Sequence, residues 1–230
     1  MNLNEIEKNT VEAVRQLQGA GPVFFIPGGK SPELKVLFAG NSITLHGPKA
    51  DIGWSGLHGM AASKPEKDYV HLCMQKIRRE YADVNFAIAQ VSEWEQNYKN
   101  GAEILPLYAA ARDFRADLII LRAVENCPVK DYDAECFTAA YTELIAYLDP
   151  TGKADMVLTT SFWPHPADEA IRTIAEKRGY ALCELGDLGG DPKMKALGLF
   201  EHSGVANHPG DAGMRAIAER ILAAWENARK

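Results

Sequence analysis

The sequence predicts an α/β domain, a three-layer α/β/α sandwich around a five-stranded parallel sheet. Two observations carry this. From Leu34 onward, short apolar runs rich in β-branched and aromatic residues alternate with longer stretches of helical periodicity, which is the pattern of βαβ units. The chain has 230 residues, 47% hydrophobic and 24% charged, enough for one substantial core and too little for two full domains.

Residues 4–18 place Ile6, Val11, Val14 and Leu17 at helical spacing and end at Gly19, Gly21 and Pro22, so a short amphipathic helix is expected. Residues 23–26 read as a short strand closed by Pro-Gly-Gly. We expect these elements, residues 1–33, to form an appendage beside the main domain, residues 34–230. The five strands of that domain are expected at 35–39, 84–89, 118–122, 156–160 and 181–185. Residues 66–82 set Val70, Cys73, Ile77 and Tyr81 on one face, and residues 133–148 do the same with Phe137, Tyr141, Leu144 and Leu148, so both read as crossover helices. Shorter helices are expected over 103–114 and 167–178, the latter ended by Gly179. Asp211 is positioned to cap a last helix whose stripe is Met214, Ile217, Ala218, Ile221, Leu222 and Trp225.

Composition excludes several function classes. A net charge of -6 with no basic run argues against nucleic acid or an anionic membrane as partner. The four cysteines, Cys73, Cys127, Cys136 and Cys183, have no C-x-x-C spacing, so neither a zinc knuckle nor a disulfide framework is indicated. His46, His58 and His165 fall in loops without the spacing of zinc ligands, so no metal is expected, and no cofactor. The polar N-terminus and the lack of an apolar run near ~20 residues lead us to expect a cytoplasmic protein.

The chemistry-bearing residues cluster at strand ends. Ser42 follows the first strand at the Gly40 corner, Ser92 and Glu93 follow the second, Asn126 the third, and Trp163 and His165 the fourth, while His208 precedes the last helix. In a parallel sheet the carboxyl ends of the strands share one edge, where ligands bind. Ester hydrolysis needs a nucleophilic hydroxyl, an imidazole that takes and returns its proton, and donors aimed at the oxyanion; Ser42, His208 and Asn126 are the candidates. Residues 45–65 form a long loop rich in Gly, Trp and His directly after Ser42, expected to cover the substrate. Asn41, Trp54, Trp94 and Trp163 are candidate substrate contacts, the indoles as a platform for a sugar ring, though each indole suits a core equally. Cys127 has no base placed for it and reads as a small buried hydrophobe.

In these motifs the sequence resembles the SGNH hydrolases, the GDSL-type esterases and lipases. Gly40-Asn41-Ser42 resembles the family's Gly-Asp-Ser, with Asn41 for Asp. Asn126 resembles its third-strand Asn, with Val124 where Gly usually stands two residues earlier, and His208-Pro209-Gly210-Asp211-Ala212-Gly213 resembles its last motif. The resemblance spans residues 34–228 and implies a flavodoxin-like strand order, a Ser42 acyl-enzyme and His208 as base. Two departures stand out. The acid expected three residues before His208 is Val205. Either a backbone carbonyl orients His208 in a Ser-His dyad, or another carboxylate substitutes, Glu201 first. The family's oxyanion Gly after the second strand is also missing. The backbone N–H of Ser92 or Glu93, or that of Gly59 in the long loop, is the candidate replacement beside the Ser42 N–H.

The expected activity is hydrolysis of a small polar ester, an acetylated sugar above a long-chain lipid. Within the same class a thioesterase or lysophospholipase stays open. So does a different class, a carbohydrate- or ligand-binding protein on the esterase scaffold, which Val205 makes physically possible.

Overall fold

The computed structural model describes residues 22–230. The helix expected over residues 4–18 lies outside the described residues. Six strands, β1 (Val23–Ile26), β2 (Leu34–Gly40), β3 (Val84–Gln90), β4 (Leu118–Arg122), β5 (Asp155–Thr159) and β6 (Ala181–Cys183), form one sheet in the order β1-β3-β2-β4-β5-β6. β2 to β6 are mutually parallel and, numbered among themselves, run 2-1-3-4-5, a doubly wound order. The sheet is therefore mixed and six-stranded where the sequence predicts five parallel strands. The sixth is β1, expected in an appendage, which pairs antiparallel with β3, Val23 opposite Ala89 and Ile26 opposite Phe86. Antiparallel addition needs no crossover helix, so the βαβ rhythm of the sequence gives it no signature.

Period-two alternation in the strands builds both faces of the core. Val36 and Phe38 of β2, Phe86 and Ile88 of β3 and Ile120 of β4 point to one face. There α1 (Tyr69–Ile77) brings Val70, Met74 and Ile77, and the C-terminal helix brings Met214, Ile217 and Ile221. Leu37, Ala39, Ala87, Ile119 and Leu121 point to the other face, against α2 (Ser92–Gln96), α3 (Gly101–Ile104), α4 (Ala109–Phe114), α5 (Ala134–Leu148) and α6 (Asp168–Arg178). Each such aliphatic side chain, fully buried, contributes about 1.5–3 kcal/mol relative to exposure.

Local chemistry sets the helix bounds. α1 begins only at Tyr69 because Pro65–Lys67 turn as a 3-10 helix and Asp68 then caps the helix, accepting from the His71 N–H at 2.7 Å. The helix expected over 103–114 is split into α3, a 3-10 turn at Leu105–Tyr108 and α4, with Pro106 unable to donate in a continuous ladder. α6 ends at Gly179, whose φ of 67° is the left-handed cap. A four-residue helix, α7 (Ser203–Ala206), precedes the last one, α8 (Asp211–Ala228). Asp211 does not cap α8. It is the first helical residue, and its carboxylate instead accepts from the backbone N–H and the hydroxyl of Ser63, both at 2.8 Å.

Candidate active site

β2 ends in a corner that only glycine fits. A Cβ on Gly40 would stand 2.0 Å from Thr44 Oγ1 and 3.0 Å from the Arg122 carbonyl. The close approach lets Asn41 start a tight turn, its carbonyl accepting from Thr44 N–H at 2.9 Å and Leu45 N–H at 3.0 Å, and Ser42 sits on that turn. The long loop braces it from behind, Met60 N–H donating to the Ser42 carbonyl at 2.9 Å.

Ser42 Oγ lies 2.9 Å from His208 Nε2. The other ring nitrogen, Nδ1, is 2.7 Å from the carbonyl oxygen of Gly204. A carbonyl only accepts, so Nδ1 carries the proton and Nε2 is left to accept from Ser42. Helix-end geometry supplies this carbonyl. At the end of α7 the His208 N–H bonds to Val205 at 3.0 Å instead of reaching back four residues, which leaves the Gly204 oxygen for the imidazole. Val205 is buried with Trp54, Met60, Ala61 and Ala196 in a small satellite core, so that position serves packing. Glu201 is exposed ahead of α7, and the Nδ1 it was expected to serve faces Gly204. Trp163 meets the His208 ring edge-to-face at 5.2 Å. Burial, reinforced by the charges of His46, Arg122 and His202 and only partly opposed by the Gly204 hydrogen bond, pulls the His208 pKa down to about 4. The imidazole is therefore neutral, with Nε2 free to take a proton, across the ordinary pH range.

Beneath Ser42 lies a polar network of side chains that are fully or nearly fully buried, apart from Asn126. Asn41 Nδ2 donates to Glu95 Oε1 at 2.9 Å and to Glu125 Oε2 at 2.5 Å, and its Oδ1 accepts from Ile43 N–H at 3.2 Å and Arg122 Nη1 at 3.3 Å. Arg122 pairs with Glu125 through Nη2, and the Phe162 N–H adds a bond to Glu125 at 2.9 Å. Asn126 is exposed, and its Nδ2 donates to Glu95 Oε2 at 2.5 Å and lies 3.4 Å from Ser92 Oγ. Two carboxyl groups thus share one amide, and Arg122 pairs with one of them, Glu125. Burial first and the neighbouring Glu125 second push the Glu95 carboxyl up to about 8. This explains Asn41 where the resembled family carries Asp: a carboxylate here would face the Glu125 carboxyl and offer Glu95 no donor, whereas an amide gives each of them one.

The other expected site residues are placed as follows. Asn41 is buried and spent on the network, so it supports the corner from below and offers substrate nothing directly. The Gly59 N–H is taken by Asp68 at 3.0 Å and the Ser92 N–H by Gln90 Oε1 at 2.8 Å, so neither is free for an oxyanion. Among the described residues, no acceptor takes the N–H of Ser42 or of Glu93, the latter in the first turn of α2. Trp94 is fully buried between Phe137 and Tyr141, and Trp54 is buried against His58 and Phe200 with its Nε1 on the His46 carbonyl at 3.1 Å. Of the three indoles only Trp163 stands at the Ser42–His208 pair. His165 ties two strand-end loops, Nε2 on the Cys127 carbonyl at 3.1 Å and Nδ1 accepting from Ala167 N–H at 3.1 Å.

Of the two alternatives for His208, the backbone carbonyl is the one the structure shows, though the sequence does not say that Gly204 supplies it, and Glu95, Arg122 and Glu125 are not among the sequence candidates. A backbone carbonyl has no side-chain signal. Arg122 did have one, a charge closing the otherwise apolar run LIILR followed three residues later by Glu125, which is an invitation to a buried pair. Among the described residues, no three His, Cys, Asp or Glu side chains are grouped to hold a metal ion, and no helix is long and apolar enough to cross a membrane.

No protein-family model matches the chain, and no curated protein matches it in sequence. Solved structures share its fold. The esterase EstA from Pseudoalteromonas sp., in a structure inhibited by monoethylphosphonate, has a TM-score of 0.56 at 15% identity over 85% of this chain and 98% of its own. TesA has a TM-score of 0.55 at 15% identity, covering 84% of this chain and 99% of its own. A two-domain esterase, CEX, active on acetylated mannans, has a TM-score of 0.54 at 18% identity over 86% of this chain, which spans 49% of the larger protein. At these identities the likeness is one of fold.

Proposed function

We propose that the chain is an SGNH-type serine esterase that cleaves small polar carboxylic esters through an acyl-enzyme on Ser42. The observation that carries this reading is the Ser42–His208–Gly204 relay, with Oγ 2.9 Å from Nε2 and Nδ1 2.7 Å from a carbonyl. Ser42 Oγ attacks the ester carbonyl while Nε2 takes its proton. The tetrahedral oxyanion then collapses, and the leaving alcohol departs with the proton from Nε2. Water repeats the sequence on the acyl-enzyme and releases the acid and Ser42. The Ser42 and Glu93 N–H groups and the Asn126 amide are the donors proposed for the oxyanion. Gly204 fixes the tautomer but contributes a dipole where a triad contributes a full charge, so catalysis is expected to be slower than with a carboxylate.

For substrate class the proposal is an acetylated sugar or comparable polar ester. Trp163 beside the imidazole places an indole next to the reacting atoms, and one of the solved structures of similar fold is an esterase active on acetylated mannans. The test compares acetate release from acetylated oligosaccharides with hydrolysis of long-chain acyl esters, using Ser42→Ala as blank. Turnover of the acetylated sugars alone supports the reading. Preference for long chains would move the assignment to a lipase or thioesterase.

A further inference from the structure

Glu95 takes no part in the acyl-transfer steps, yet it holds the exposed amide of the network from below. Its Oε1 is met by Asn41 Nδ2 at 2.9 Å and its Oε2 by Asn126 Nδ2 at 2.5 Å. The two amides are not equivalent. Asn41 has both ends committed, its Oδ1 already taken by Ile43 and Arg122. Asn126 Oδ1 has no donor among the described residues, so this amide can turn over about its last, two-fold torsion. Which end points inward depends on what Glu95 offers. An ionised carboxylate only accepts and draws Nδ2 inward, away from the reacting volume. A protonated carboxyl donates its O–H to Asn126 Oδ1 while Oε1 still accepts from Asn41, and Nδ2 then faces the strand-end edge where the oxyanion forms.

We propose that Glu95 is a positioning residue, a buried carboxyl group that decides which end of the Asn126 amide faces the ester bound at Ser42. Its effect on turnover rests on the esterase reading above; its effect on the amide does not. The charged groups facing Glu95 are Glu125 and Arg122 at the end of β4. Tyr108, Tyr141 and Cys127 also surround it, and burial pushes all three above their ordinary values, so they add no charge at neutral pH. The inward and outward states of the amide therefore exchange as Glu95 gains or loses its proton beside Glu125.

The experiment follows the side-chain amide resonance of ¹⁵N-labelled Asn126, identified by its loss in Asn126→Ser, from about pH 6 to about pH 10, with p-nitrophenyl acetate turnover on the same samples corrected by Ser42→Ala. In the wild type the resonance is expected to titrate in the alkaline range and turnover to fall with it, by up to roughly a hundredfold, the usual effect of losing one oxyanion donor. Glu95→Gln donates through its own amide at every pH, so there both resonance and turnover stay level over the same range. An Asn126 resonance that does not move in the wild type overturns the proposal, and so does an alkaline fall in turnover that persists in Glu95→Gln. If no ester is turned over, the esterase reading fails separately, and the titration of the amide alone decides the role of Glu95.

Discussion

His208 Nδ1 donates to the carbonyl oxygen of Gly204 at 2.7 Å, four residues back in the chain. The bond orients the ring as a carboxylate would but brings no negative charge to stabilise an imidazolium, and in this buried site the His208 pKa falls to about 4. In the mechanism proposed for Ser42 the imidazole works unprotonated, so activity is expected to persist as pH falls past the ordinary imidazole value of 6.5 and to be lost near 4. A kcat/KM profile reads this directly. An acid limb near 6.5 would mean that the ring is solvated as in a free histidine. The same shift acts on stability: the unfolded chain takes up this proton first, so stability is lost as pH falls from about 6.5 to about 4.

Val205 packs in the satellite core with Trp54 and Met60. Placing the missing acid there, as Val205→Asp, is expected to destabilise by about 1–3 kcal/mol through burial of an unpaired polar group, with no gain in turnover. Urea denaturation and ester hydrolysis measure both. A faster enzyme of undiminished stability would show that a triad acid fits and that Gly204 is dispensable.

Asn41 gives one amide hydrogen to Glu95 and one to Glu125. Asn41→Asp removes both donors and sets a new carboxyl group against Glu95 and the Glu125–Arg122 pair, so a loss of about 3–5 kcal/mol is expected near neutral pH. The deficit shrinks as pH is lowered and the carboxylates protonate. Equal stability of the two proteins at pH 7 would contradict the arrangement of the network.

Glu95 has a raised pKa, so its contribution to stability is complete below the unfolded value of 4.5 and is lost as pH rises through about 8. Glu95→Gln has no such proton to lose. Its stability relative to the wild type is expected to improve as pH rises across that window, measured by denaturant midpoints at several pH values. A constant difference would remove Glu95 as the titrating group.

What the sequence revealed depended on the kind of signal each feature leaves. The parallel strands were legible because each is an apolar run beside a helical stretch, and the Ser42–His208 pair because side chains of those types stand at strand and loop ends. A backbone carbonyl partner for His208 was legible as an alternative, but not that Gly204 supplies it, since any residue supplies the same atom and only the way α7 ends exposes it. Trp94 read as a possible sugar platform because a sequence does not say which side of a five-residue helix is covered, and α5 covers it. β1 read as an appendage because an antiparallel edge strand leaves no crossover behind it.

The most direct test of the central claim is mass spectrometry of the adduct formed with an organophosphonate, in the wild type, Ser42→Ala, His208→Ala and Glu201→Ala. One adduct is expected on the peptide carrying Ser42, absent from Ser42→Ala, formed far more slowly in His208→Ala and at the wild-type rate in Glu201→Ala. No adduct in the wild type from neutral to mildly alkaline pH, or an adduct that survives Ser42→Ala, would contradict it.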